Sequence, residues 1–263
     1  YDRYDRIGGL LMYGIPGFKL EKSIVERRGQ LLIDGGVKFH LGSDIGGKTK
    51  FADIRAKHDS ILVATGVYKA RDIVAPGSGL DGIVPALEYL TVSNRKSLGD
   101  DVAAFDSGAL NAEGKDVVVI GGGDTAMDCV RTAIRQKAKS VSCLYRRDRA
   151  NMPGSQREVQ NAEEEGVVFK WLSAPQAFLG DDKVRAVQAQ RIHLGQPDAT
   201  GRQVPEVIDG SAHELPADMV IKALGFDPED LPTMFGQDGL EVTRWGTLKI
   251  DWRTMMTNLD GVF

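Results

Sequence analysis

Hydrophobic and polar positions in the second half of the chain alternate between a strand-like and a helix-like pattern. Residues 116–120 end in four consecutive β-branched residues and predict a buried strand, and apolar residues at helical spacing predict a helix over 124–136. The alternation continues with a strand at 140–145, a helix at 154–165 and a strand at 167–171. Strands separated by single helices are typical of a parallel sheet, so the pattern predicts an α/β fold.

After residue 171 the predicted elements become shorter. Residues 174–215 form short alternating segments separated by glycine, proline and aspartate, which predict an antiparallel β meander inserted into the α/β unit. Residues 219–224 predict a return to a buried strand, and residues 247–250 predict a last short strand. We therefore expect the parallel sheet to resume after the meander.

The first part of the chain is less regular. Residues 7–17 are rich in glycine and predict a loop, and residues 20–35 predict a helix that stops at a pair of glycines. Residues 37–41 and 60–65 predict strands, the second of them buried. These elements could form part of a second α/β unit.

The best candidate for a domain boundary lies between these two regions. Residues 75–114 are punctuated by proline and glycine, and most of them are small or polar. A short helix is predicted at 85–90, and we interpret the rest as a linker.

Three glycines separate the strand at 116–120 from the helix that follows. Gly121, Gly123 and Ala126 occupy the fixed positions of a G-x-G-x-x-G/A motif. The first glycine permits a tight turn, the second lets a pyrophosphate approach the backbone, and the small third residue lets helix and strand pack closely. Because the N-terminus of the helix faces the anion, the motif predicts a dinucleotide site. Its predicted residues are Gly121, Gly122, Gly123, Asp124, Thr125 and Ala126.

Asp124 follows the glycines at the start of the predicted helix. A carboxylate there suits the positive end of the helix dipole but would repel a phosphate at contact distance, and we interpret the residue as an N-terminal cap. Asp128 lies one turn further along, and its spacing assigns it no role.

Two arginines follow the second strand of this β-α-β unit. The end of that strand faces the adenosine ribose, where an acidic residue favours NAD and an arginine pairs with the 2′-phosphate of NADP. This position holds Arg146 and Arg147. Bidentate recognition of phosphate suits a guanidinium well, so we predict NADP(H) over NAD(H). The alternative is a solvated basic turn.

Composition narrows the class of protein. The chain carries 33 basic and 37 acidic residues, a formal charge of −4, which gives no support to a nucleic-acid surface. No apolar run approaches the ~20 residues that span a bilayer. We expect neither nucleic acid nor membrane as a partner, and a cytoplasmic location.

The residues that commonly carry metal or nucleophilic chemistry are few. The only two cysteines, Cys129 and Cys143, lie in apolar patterns and read as reduced core residues. The four histidines match no metal-ligand spacing. We predict no metal site and identify no catalytic acid or base. A dinucleotide domain without such groups suggests that the group exchanging a hydride with the nucleotide is another cofactor.

Five segments together resemble the small (beta) subunit of NADPH-dependent glutamate synthase. They are residues 8–20 (Gly-Gly-Leu-Leu-Met-Tyr-Gly-Ile-Pro-Gly-Phe-Lys-Leu), 63–66 (Val-Ala-Thr-Gly), 121–128 (Gly-Gly-Gly-Asp-Thr-Ala-Met-Asp), 145–148 (Tyr-Arg-Arg-Asp) and 151–154 (Asn-Met-Pro-Gly). The resemblance covers nearly the whole chain. It implies that NADPH reduces FAD, and that electrons then pass through iron–sulfur clusters to a large (alpha) subunit. There, glutamine and 2-oxoglutarate become two glutamates.

The resemblance also implies a fold with two Rossmann-like dinucleotide-binding domains, on the plan of glutathione reductase. Residues 1–74 would be a partial FAD-binding domain, 75–114 a linker and 115–228 the NADP-binding domain with its β meander. Residues 229–263 would return to the FAD-binding domain.

The resemblance further assigns individual residues. Asp2 would face the adenosine ribose of FAD, and Thr65 and Gly66 would mark the crossing between domains. Along the FAD would lie Gly9, Leu10 and Leu11, with Lys19 nearby. NADP would be held by Gly123, Asp124, Thr125, Arg146 and Arg147.

Several features of the family have no counterpart between Tyr1 and Phe263. These are the cysteine-rich iron–sulfur region, the first glycine motif for FAD and a later Gly-Asp segment. We therefore expect a fragment whose FAD site is incomplete. Two alternatives stay open: another NADPH-dependent flavin reductase of the same plan, and an isolated NADP-binding module without turnover.

Overall fold

The computed structural model describes residues 1–199 and 201–263. They form two compact units. The first unit contains residues 1–12, 21–71 and 226–263, and the second contains residues 13–20 and 72–225. The chain therefore visits the second unit twice, first with a short segment of eight residues.

The elements are numbered along the chain. The helices are α1 (Leu10–Tyr13), α2 (Lys22–Asp34), α3 (Phe51–Arg55), α4 (Ala86–Ser97), α5 (Ala103–Asp106), α6 (Asp124–Arg135), α7 (Gln156–Glu164) and α8 (Leu231–Phe235). The strands are β1 (Lys69–Ala70), β2 (Ile83–Pro85), β3 (Asp116–Ile120), β4 (Ser140–Leu144), β5 (Val168–Lys170), β6 (Ser173–Gly180), β7 (Val184–Pro197), β8 (Gln203–Val207), β9 (His213–Pro216), β10 (Met219–Lys222) and β11 (Phe226–Asp227). None of the described helices is long and apolar enough to cross a membrane.

A five-stranded parallel sheet forms the centre of the second unit, with strand order β2-β10-β3-β4-β5. Alternate side chains of a strand point to opposite faces of a sheet. Val117 and Val119 accordingly join the cluster that contains Met127 and Val130 of α6. Val118 and Ile120 join the cluster on the other face. Both faces of β3 are therefore covered, as its unbroken apolar run predicts.

An antiparallel sheet supplies the second of these clusters. β6, β7 and β8 pair in order, and β9 pairs with β7. Phe178, Val187 and Leu215 pack there with Val118 of the parallel sheet. The predicted α/β fold and its inserted antiparallel meander are confirmed.

The first unit is built around a smaller apolar cluster. Phe51 of α3 stacks on Phe235 of α8, with ring centroids 4.3 Å apart. β1 and β11 pair antiparallel, at the points where the chain leaves the unit and returns to it. Asp230 caps α8 by accepting hydrogen bonds from Thr233.

Three strand predictions are wrong. Among the residues that the structure describes, 37–41 belong to no strand or bridge, and within 60–65 only Ile61 forms a bridge, to Val262. Residues 247–250 contribute a single bridge at Leu248. A run of β-branched residues predicts a strand only when neighbouring strands are present to pair with it. Residues 61–63 pair with 261–263 on one side, and Leu62 is 76% exposed.

The region predicted as a linker, 75–114, is structured. It forms β2, α4 and α5, and β2 is the edge strand of the parallel sheet beside β10. The helix predicted at 85–90 extends to Ser97 and buries Tyr89, Leu90 and Asn94. The glycine-rich loop predicted at 7–17 likewise contains the short helix α1. Proline and glycine flank these elements and conceal their apolar periodicity.

Candidate dinucleotide-binding sites

The glycine turn lies at the carboxyl edge of the parallel sheet, between β3 and α6. From β3 the chain runs to β4 and β5 on one side, whereas β10 and β2 lie on the other side. β3 is therefore the strand at which the direction of winding reverses. In open α/β sheets this reversal leaves a crevice beyond the carboxyl ends of the strands, where ligands bind.

Each glycine of the turn meets a different environment. A Cβ on Gly121, whose φ is +147°, would lie 2.2 Å from the carbonyl oxygen of Ala223. A Cβ on Gly122 would lie 2.3 Å from the ring of Tyr145. Gly123 instead faces open space, because nothing lies within 4 Å of its Cβ position. The first two glycines are required by packing, and the third leaves room for a ligand.

The start of α6 is the open part of this turn. Gly123 is the N-cap residue and has no side-chain cap hydrogen bond. The prediction that Asp124 caps the helix is wrong, because its carboxylate turns away and accepts a hydrogen bond from the Ser155 N–H at 3.0 Å. An uncapped helix N-terminus presents backbone donors and a positive dipole to an anion.

The segment 151–154 forms one wall of the turn. The Gly154 N–H donates to the Gly122 carbonyl at 2.9 Å, and the Tyr145 hydroxyl donates to the Asn151 carbonyl at 3.0 Å. Together with Asp124, these contacts fix the loop after β4 against the glycines. The Asn-Met-Pro-Gly sequence thus has a structural role in shaping the crevice.

Arg146 and Arg147 emerge at the same edge of the sheet. Leu144 lies in register with Ile120, so the residues just beyond β4 run beside the glycine turn. Arg146 is exposed. The Nε atom of Arg147 is buried and has no hydrogen-bond partner in the described part of the chain. An unsatisfied buried donor is costly, and an anionic acceptor bound here would satisfy it.

Tyr145 connects the arginines to the turn. Burial raises the pKa of its phenol, while the nearby Arg147 and Arg146 guanidinium groups oppose that shift. The tyrosine therefore stays protonated at neutral pH and keeps its hydrogen bond to Asn151. Its ring is the surface that would meet a side chain on Gly122.

Lys19 belongs to the second unit and forms an ion pair there. Its ammonium donates to the Asp128 carboxylate at 2.8 Å and lies 3.6 Å from that of Glu158. Burial raises the pKa of Asp128, and Lys19 opposes that shift. Asp128, to which spacing assigned no role, thus anchors the segment 13–20 on α6. Its partner could not be identified from the sequence, because the two residues are far apart in the chain.

A cavity of about 530 Å³ lies within the first unit. Every residue that the resemblance assigns to FAD lines it, except Lys19. These residues are Asp2, Gly9, Leu10 and Leu11. Thr65 and Gly66, which the resemblance places at the crossing between domains, line the cavity as well. Gly9 and Gly66 have positive φ values of +51° and +68°, a backbone conformation that would be strained in a residue with a side chain. At both positions the backbone itself therefore lines the cavity. The roles of these residues toward a cofactor stay predictions.

Sequence reasoning missed Tyr68 on the wall of this cavity. Its hydroxyl lies 3.6 Å from the Cβ position of Gly9, and the Arg3 guanidinium lies 4.8 Å above its ring. Arg3 is held by Glu229 at 3.0 Å. Burial raises the pKa of Tyr68, so at neutral pH the phenol is protonated and can donate a hydrogen bond. No motif or spacing in the sequence singles out Tyr68.

Comparisons with known proteins agree with this arrangement. The family model described as pyridine nucleotide-disulphide oxidoreductase matches residues 21–263. The chain is 67% identical over all 263 residues to a glutamate synthase [NADPH] small chain of Azospirillum brasilense, covering 55% of that protein. It is 47% identical over 249 residues (95% of the chain) to the protein of the same name from Halomonas elongata, covering 52% of it. The chain thus spans about half the length of these relatives.

A solved structure has the same fold at low sequence identity. Mycobacterium tuberculosis FprA, in a structure with NADPH, superposes with a TM-score of 0.71 and 17% identity. The superposition covers 97% of this chain and 67% of that one. It supports the fold, since identity at this level carries no information about individual site residues.

Proposed function

The chain belongs to the pyridine nucleotide-disulphide oxidoreductase family, and on this premise we propose that it passes a hydride from NADPH to FAD. The second unit would bind NADPH and the first would bind FAD. We further propose that the module serves glutamate synthesis. The 67% identity to a glutamate synthase [NADPH] small chain supports this, with coverage of about half of that relative.

One observation carries the nucleotide assignment. The open glycine at the N-terminus of α6 lies at the same sheet edge as Arg146 and Arg147, and the buried Nε of Arg147 lacks a partner. The helix terminus suits a pyrophosphate, and the guanidinium pair suits the additional 2′-phosphate. This pairing favours NADPH over NADH.

The cavity of the first unit supports a flavin site. Asp2 offers a carboxylate to ribose hydroxyls, Gly9 and Gly66 allow close backbone approach, and Tyr68 offers a neutral donor. FAD, when bound, supplies a two-electron acceptor for the hydride. The protein groups around it would bind and orient it. Residues 1–263 contain only two cysteines, both free and buried, so no cluster ligands are proposed among them.

The proposed partner is a glutamate synthase large subunit. The name "small chain" carried by the relatives supports a two-subunit enzyme. From the family resemblance alone, we further propose that iron–sulfur clusters held outside residues 1–263 pass electrons to the site of glutamate formation. We also retain the prediction of a cytoplasmic location, which rests on the two free cysteines.

Oxidation of NADPH by the complete protein mixed with a large subunit tests the proposal. We expect it to depend on both glutamine and 2-oxoglutarate. NADPH oxidation that proceeds equally well with an artificial electron acceptor but never responds to these substrates would favour another flavin reductase. A colourless protein that binds NADPH without turnover would instead leave only a nucleotide-binding module.

A further inference from the structure

The β7–β8 hairpin extends past the edge of the sheet at which the arginines lie. β7 pairs with β6 as far as Arg191, opposite Ser173, and its remaining residues pair with β8 instead. Ser173 itself is tied to the end of β4, because its N–H donates to the Tyr145 carbonyl at 3.0 Å. The outer part of the hairpin, residues 192–199 and 201–207, therefore projects beyond the carboxyl edge of the parallel sheet.

Backbone hydrogen bonds fix the base of this hairpin next to Arg147. The Leu172 N–H donates to the Arg147 carbonyl at 3.1 Å, and the Ile192 N–H donates to the Leu172 carbonyl at 2.7 Å. Leu172 adopts a positive φ of +49°, which turns the chain between these two contacts. The position of the hairpin is thus coupled to that of the arginine pair.

Arg202 lies at the far end of the hairpin. Its N–H donates to the Asp198 carboxylate at 3.1 Å, and its carbonyl accepts from the Asp198 N–H at 2.8 Å. Its side chain is exposed. Burial raises the pKa of Tyr145, and Arg202 is among the guanidinium groups that oppose this shift, together with Arg147 and Arg146. The hairpin and the loop after β4 therefore both carry exposed arginines at this edge of the sheet.

We propose that Arg202 is a third specificity-determining residue, which reaches from the β7–β8 hairpin to the 2′-phosphate of NADPH. The inference rests on the proposed function, since it assigns a further residue to the same nucleotide site. A ribose phosphate carries close to two negative charges near neutral pH and offers three acceptor oxygens. Arg146 and Arg147 approach from the loop after β4, and a guanidinium on the hairpin would approach from another side.

The test compares two ligands that differ only in the 2′-phosphate. Binding of 2′,5′-ADP and of 5′-ADP to the complete protein is measured by calorimetry, for wild type and for Arg202→Ala. We expect the affinity for 2′,5′-ADP to fall at least about tenfold, as for loss of a charged hydrogen bond, and that for 5′-ADP to change little. Arg202→Lys should retain part of the preference, because it keeps the charge and loses the planar fork.

Arg185→Ala is the matched control. Arg185 lies near the start of β7, far from the outer part of the hairpin, and its ion pair with Glu214 is exposed. It should leave both affinities unchanged. Equal losses for both ligands in Arg202→Ala, or no loss, would overturn the inference.

A further pair of variants separates this inference from the proposed function. If wild type prefers 2′,5′-ADP and Arg146→Ala/Arg147→Ala abolishes the preference while Arg202→Ala retains it, only the role of Arg202 fails. If wild type shows no preference for the 2′-phosphate, the NADPH assignment fails and the role of Arg202 fails with it.

Discussion

At the scale of single residues, the glycines of the turn meet two different requirements, close packing and space for a ligand. The sequence motif does not distinguish between them. Gly121 is demanded by its positive φ and by the carbonyl of Ala223, whereas Gly123 faces open space. We predict that Gly121→Ala lowers the free energy of unfolding by about 2–3 kcal/mol, because the added carbon meets backbone. Urea denaturation measures this.

The variant Gly123→Ala tests the second requirement, the space for a ligand. Its φ is −92° and its Cβ position is free of neighbours, so the free energy of unfolding should change little. The methyl group would, however, occupy the space in front of α6, and NADPH affinity should fall. A Gly123→Ala protein that unfolds early, or one that binds NADPH as wild type does, would contradict this division of roles.

The arginine pair allows a prediction of cofactor preference. Arg146→Ala combined with Arg147→Ala should weaken the binding of NADPH far more than that of NADH, since the guanidinium groups serve the 2′-phosphate. Fluorescence titration of the reduced nucleotides measures both affinities. Equal weakening, or none, would show that the pair is a solvated basic turn.

At the scale of elements, the segment 13–20 is held on α6 by charge as well as by packing. The Phe18 ring lies 3.8 Å from the Arg135 guanidinium carbon and 4.7 Å from that of Arg131, next to the Lys19–Asp128 pair. Lys19→Met should destabilise the protein by about 2 kcal/mol, between values typical of exposed and of buried ion pairs. Adding Asp128→Asn should recover part of that loss.

The loss caused by Lys19→Met should depend on pH. Burial already raises the pKa of Asp128, and without Lys19 it should rise further in the folded state. A carboxyl group with a raised folded pKa favours folding below its unfolded pKa, and that contribution disappears as the pH rises through the folded pKa. The difference between variant and wild type should therefore shrink as the solution is made more acidic. A difference independent of pH would exclude Asp128 as the cause.

The elements that could be predicted from the sequence are those whose evidence is local. β3 has the predicted bounds, and α6 and β4 end within one residue of them, because strand, glycine turn and helix follow one another directly. β2 was missed because it is three residues long and its partner β10 lies far along the chain. Residues 60–65 have the composition of a buried strand, but one-sided pairing leaves Leu62 exposed. The composition of a segment does not show how many neighbouring strands will pair with it.

At the scale of the whole molecule, the chain divides into one unit with a glycine turn and arginines and another with a lined cavity. The resemblance of five segments to a known family implied a plan of two dinucleotide-binding domains, and the chain forms two compact units. The assignment of residues 13–20 to the second unit could not be predicted, because it depends on contacts of Lys19 and Phe18 with α6. Contacts between side chains that lie so far apart in the chain leave no periodic pattern in the sequence.

Anaerobic titration of the complete, flavin-loaded protein with reduced nucleotides tests the central claim most directly. Absorbance of the flavin is followed while NADPH is added, and the experiment is repeated with NADH. The account predicts that NADPH bleaches the flavin by two-electron hydride transfer, and that NADH is far less effective. Purified protein without flavin, or flavin bleached equally well by both nucleotides, would contradict it.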